Sequence, residues 1–87
     1  MRLPLIKRLT QFTKERDEDF LLETIETLEH LAMGEVLKEE ELEVVGELLS
    51  NLYGAVEVTK DIQSGTPDRD ALNGFMQRVM GSIAPAT

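Results

Sequence analysis

The single histidine has the widest chemical range of any residue in this chain, and its neighbours invite a metal reading. Glu23, Glu26 and His30 fall at i, i+3 and i+7, close enough to one face of a helix to share a cation if a second helix supplied further ligands. The carboxylate-bundle di-metal pattern, however, needs a Glu three residues before its His, and that position is Thr27. A metal-binding helical-bundle enzyme using Glu23, Glu26 and His30 therefore stands as an alternative, behind a solvated acidic face that carries a surface His.

Other chemistry-bearing types are sparser still. Glu39, Glu40, Glu41, Glu43 and Glu47 crowd the start of one segment. Catalytic carboxylates sit in clefts that shift their pKa, whereas acids at a helix start are a solvated surface that complements the helix dipole. The serines occur as Leu49-Ser50-Asn51, Gln63-Ser64-Gly65 and Gly81-Ser82-Ile83, and none fits a nucleophile elbow. None matches the Asp-Ser-Leu-type attachment site of an acyl carrier protein either. No phosphate-cradling glycine loop or EF-hand spacing occurs. Cysteine is absent, which excludes disulfides, thiolate nucleophiles and Cys-ligated metals. The expectation is a non-enzyme with no catalytic residue, metal or cofactor.

Size and charge narrow the class. The 87 residues make one domain at most, and a chain this short buries only about 60–70% of its unfolded surface. Seventeen acids against nine bases give −8, which argues against a partner bound through phosphate neutralisation. Residues 1–14 carry four bases and no acid, residues 15–47 carry thirteen acids against Arg16 and Lys38, and the remainder is nearly balanced. Internal complementarity is expected, with the basic first helix lying over the acidic middle. No run approaches the length of about 18 apolar residues needed to span a membrane, and Met1–Ile6 is too short for a signal-peptide core. The expected location is cytoplasmic, with neither nucleic acid nor membrane as a partner.

The periodicity predicts an all-α protein, a small four-helix arrangement with a long central third helix. The first helix begins near Pro4, carries Leu5, Ile6, Leu9 and Phe12, and ends near Arg16. The second follows the Asp17-Glu18-Asp19 cluster, carries Leu21, Ile25, Leu28 and Ala32, and stops at Gly34, expected to take the left-handed conformation. The third runs roughly from Lys38 to Ser64 and is followed by Gly65. Its apolar set, Val44, Val45, Leu48, Leu49, Leu52, Tyr53, Ala55, Val56 and Ile62, spans half its circumference, so it should pack on two or more neighbours. Thr66-Pro67-Asp68 opens the fourth, with Thr66 as cap, and Ala71, Leu72, Phe75, Met76, Val79 and Met80 lead to Gly81. Residues 1–87 are expected to form a single helical domain with residues 82–87 a frayed tail.

Along the third helix Gly46, Ser50 and Gly54 recur at four-residue intervals, and an interior helical Gly costs about 1 kcal/mol relative to Ala. Such a ridge admits a second backbone at close range. With Phe75, Met76 and Met80 on the fourth helix it is the expected interface of a homodimer or higher even oligomer.

The stretches Leu3-Pro4-Leu5-Ile6-Lys7, Gly46 through Ala55, Gly65-Thr66-Pro67 and Ala71 through Met76 resemble a family of short, acidic, uncharacterised bacterial proteins known only as a domain of unknown function. The resemblance spans nearly the whole chain and carries no catalytic residue with it. It implies an accessory or adaptor role beside thioredoxin-type redox enzymes, to which a chain without cysteine could bind without exchanging thiols. The leading expectation is a non-catalytic helical interaction or adaptor module that self-associates. An acidic mimic or regulator of a nucleic-acid-binding protein is a further alternative, resting on the acidic middle.

Overall fold

The computed structural model describes residues 2–83, and side chains as far as residue 79. Four helices follow one another: α1 (Leu3–Glu15), α2 (Asp19–Met33), α3 (Glu39–Gln63) and α4 (Asp68–Ile83). No strand occurs among the described residues. The all-α, four-helix arrangement with a long third helix is thus the fold of this chain.

The boundaries have local causes. Pro4 lies in the first turn of α1, where its missing N–H is not needed. Before α3, the Lys38 N–H donates to Glu41 Oε1 at 2.8 Å, and Glu39, Glu40 and Glu41 occupy the positive end of the helix dipole. Gly65, with φ at 106°, closes α3 in a backbone conformation that only glycine adopts freely.

Two expectations at helix ends are corrected. After α2, Gly34 keeps a right-handed conformation (φ −80°), and the left-handed residue is Glu35, with φ at 57°. The chain therefore turns at a position where a side chain costs about 1–2 kcal/mol. α4 begins one residue later than the Thr66 cap implies, with the Pro67 carbonyl accepting from the Ala71 N–H at 2.9 Å. The helix is described as far as Ile83; the rest of the expected tail, residues 84–87, lies outside the described residues.

α3 is the hub, and α1, α2 and α4 all pack on it. Its buried residues all fall between Asn51 and Thr59. Leu52, Ala55, Val56 and Val58 form one core with Ile6 of α1, Leu21 and Ile25 of α2, and Ala71 and Phe75 of α4. Two polar residues that periodicity would assign to solvent anchor α1. The fully buried Asn51 accepts the Arg2 N–H on Oδ1 at 2.9 Å, and its Nδ2 donates to the Glu47 carbonyl at 2.7 Å. At the other end of α1 the Thr13 hydroxyl donates to the Thr10 carbonyl. That leaves Thr59 as donor in the 3.1 Å contact between Thr13 Oγ1 and Thr59 Oγ1.

Electrostatic docking of α1 takes a different course from the one expected. Its ion pair is Lys14 with Asp68 of α4, while Arg2, Lys7 and Arg8 have no carboxylate partner among the described residues. α1 is seated by Ile6 and by hydrogen bonds, and the acidic middle leaves most of its charge exposed.

Candidate functional site

Helix lengths decide where surface is left over. At about 1.5 Å per residue α3 is roughly 37 Å long, whereas α1, α2 and α4 are roughly 20–24 Å each. All three gather around the Asn51–Thr59 belt, so no residue of α3 before Asn51 is buried. Val44 is 59% exposed and Leu48 42%, although both belong to the stripe expected to be core.

The result is an apolar groove with α3 as floor and α1 and α2 as walls. A cavity of about 280 Å³ is lined by Leu5 and Leu9 of α1, Leu28 of α2, and Leu48 and Leu52 of α3, with Arg8 and Thr24 at its edges. It runs on, across Leu5 and Leu48, into a second space of about 390 Å³ bounded by Arg2, Val44, Glu43 and Glu47. Beyond Leu9, Phe12 meets Phe20 edge to face, ring centroids 5.8 Å apart, both rings partly exposed. On α1 the apolar stripe is wider than α3 can cover. Ile6 is fully buried, Leu5 and Leu9 are half-buried at the groove, and Phe12 is exposed. The spacing of these residues predicts an apolar face; the shortfall in covering length was the available signal that part of it stays open.

Two of the expected interface residues, Gly54 and Phe75, are buried within the chain. Gly54 is buried against its own chain: a Cβ there would lie 2.9 Å from Phe75 Cζ and 3.2 Å from Ile6 Cδ1. Phe75 is only 2% exposed. The glycine is thus the seat on which α4 and α1 close over α3, and neither Gly54 nor Phe75 is available to a second molecule. Gly46 faces open space, Ser50 is half-buried, and Met76 packs partly buried against the core. The Met80 side chain lies outside the described residues. Gly46→Ala should therefore stabilise the chain by about 1 kcal/mol through helix propensity alone. Thermal unfolding should shift upward by about 4–8 °C, and a lower midpoint would show that the site is crowded.

Glu23, Glu26 and His30 are all exposed on α2. Among the described residues no group of three His, Cys, Asp or Glu is placed to hold a metal ion. The acid of α2 that makes a defined contact is Glu29, whose Oε2 accepts from the Tyr53 hydroxyl. This hydrogen bond to a carboxylate holds the phenol protonated above its ordinary range, with desolvation and the negative charge acting in the same direction. No described helix is long and apolar enough to cross a membrane.

Compared with known proteins, the chain matches the model of a family of unknown function (DUF6952) over residues 1–84. No curated protein and no solved structure matches it.

Proposed function

The chain belongs to that family of unknown function, and from this premise we propose that it is a non-catalytic helical protein-interaction module that self-associates in the cytoplasm. The observation that supports this reading is the uncovered apolar groove over Val44 and Leu48. Side chains of this size each contribute about 1.5–3 kcal/mol when removed from water, and an aliphatic surface bordered by charge is the usual makeup of a protein contact. The groove walls are aliphatic and its ionisable groups stand at the edges, an arrangement suited to packing a helix more than to shifting a catalytic pKa.

Light scattering at micromolar concentration tests the reading. A mass near twice 9.8 kDa is expected, and a mass of 9.8 kDa across that range would overturn self-association.

A further inference from the structure

We propose that the end of the groove enclosed between α1 and α2 binds a medium-chain aliphatic monocarboxylate, its chain laid over Leu52 and its head group held by Arg8. The inference goes beyond the self-association proposed above, which rests on the groove over Val44 and Leu48.

The lining dictates the body of the ligand. The cavity of about 280 Å³ at this end has five leucines from three helices, two neutral polar side chains, Thr24 and Asn51, and one ionisable group, Arg8. Its floor reaches the core, since Leu52 and Asn51 are both buried. The neutral polar groups are already engaged. The Thr24 hydroxyl donates to the Phe20 carbonyl at 2.6 Å, and Asn51 donates from Nδ2 to Glu47 while its Oδ1 accepts the Arg2 N–H. A polar ligand body would lose its hydrogen bonds to water here without gaining others, whereas each methylene placed on the leucines is favoured by leaving water. The volume falls just below the range of about 300–1,000 Å³ that holds drug-sized ligands, so a short flexible chain fits better than a ring system.

Charge fixes the head group. Arg8 is exposed and forms no ion pair among the described residues; Glu15 borders a separate shallow space beside it. A guanidinium presents paired donors that match a carboxylate. Beyond Leu5 and Leu48 the groove instead carries Glu43 and Glu47 beside Arg2, where an anion is disfavoured. The head group is therefore placed at Arg8 and the chain within the leucines. An amphipathic partner helix would bring polar residues along both flanks of its apolar ridge, and the α2 wall offers it only Thr24 and Leu28. A chain with one charged end needs Arg8 alone.

The test is an NMR titration of the full chain with octanoate, decanoate and octan-1-ol at neutral pH. Both carboxylates should shift the signals of Thr24, Leu28 and Leu52 and saturate, with decanoate about tenfold tighter than octanoate for its two further methylenes. Arg8→Gln should weaken octanoate by about two- to fivefold and leave octan-1-ol unchanged. Thr24→Phe, at an exposed position on the cavity edge, should weaken all three at least about tenfold while circular dichroism shows unchanged helix content. No saturating shift with decanoate, or equal binding by Thr24→Phe, would overturn the site. Equal loss of octanoate and octan-1-ol in Arg8→Gln would remove Arg8 as the carboxylate's partner. If a leucine-rich amphipathic helical peptide shifts these signals and decanoate does not, the cavity belongs to a protein contact and the inference fails. A monomeric wild type that binds decanoate would overturn self-association alone, and a dimer that does not bind it would overturn this inference alone.

Discussion

Removing residues 1–14 should abolish the cooperative thermal transition of this chain, or lower its midpoint by tens of degrees, and should do so equally at high salt. Ile6 is fully buried and Thr10 nearly so, while Leu5 and Leu9 are half-buried. Their loss would open Asn51, Ala55 and Val58 of α3 to water. At about 1.5–3 kcal/mol per buried aliphatic side chain, the loss is comparable with the whole stability of an 87-residue domain, about 4–13 kcal/mol. The Lys14–Asp68 pair is half exposed on both sides and adds about 1 kcal/mol or less, so screening it removes little. Circular dichroism melts in dilute buffer and in about 1 M salt check both parts. An unchanged melting curve would show that α1 is dispensable to the fold and serves an external target.

Gly54→Leu is the point substitution with the largest expected effect. The Cβ alone would stand 2.9 Å from Phe75 Cζ and 3.1 Å from Phe75 Cε2, closer than such contacts allow. Neither Phe75 nor Ile6 can yield toward solvent, since both are core residues. Overpacking of this kind costs about 1–3 kcal/mol or more, and three further carbons push the cost to the upper end. A loss of about 3 kcal/mol lowers the midpoint by roughly 12–24 °C in a domain of this size. The ridge of small residues instead predicts a variant that changes oligomeric mass and leaves the melt alone. Measuring mass and melt together separates the accounts: an unchanged melt with a halved mass would restore the ridge as the contact and remove Gly54 from the core.

The consequence for the proposed dimer is a division of labour along α3. The Asn51–Thr59 belt holds the chain's own helices, with Gly54 setting how closely α4 and α1 approach. Val44 and Leu48, N-terminal to that belt, stay exposed at the groove. Substitutions in the belt should therefore act on stability, and substitutions at the groove should act on mass.

By itself the sequence determined the number, order and approximate limits of the helices. Those depend on local physics: apolar residues recurring every three or four positions, proline in the first turn of α1, acids at the start of α3 and the positive φ of Gly65 at its end. It also determined that cysteine chemistry is excluded, because the chain has no cysteine. Tertiary structure decided which part of each apolar face is covered. Periodicity assigns Val44, Leu48 and Leu52 to one stripe without distinction, yet only Leu52 is buried, while Val44 and Leu48 line the open groove beside α1. The polar anchors Asn51 and Thr59 and the inward role of Gly54 were equally illegible, since each depends on the side chain that another helix brings opposite it. A repeat along one helix specifies a face; what meets that face is set by the lengths of its neighbours and by where they cross.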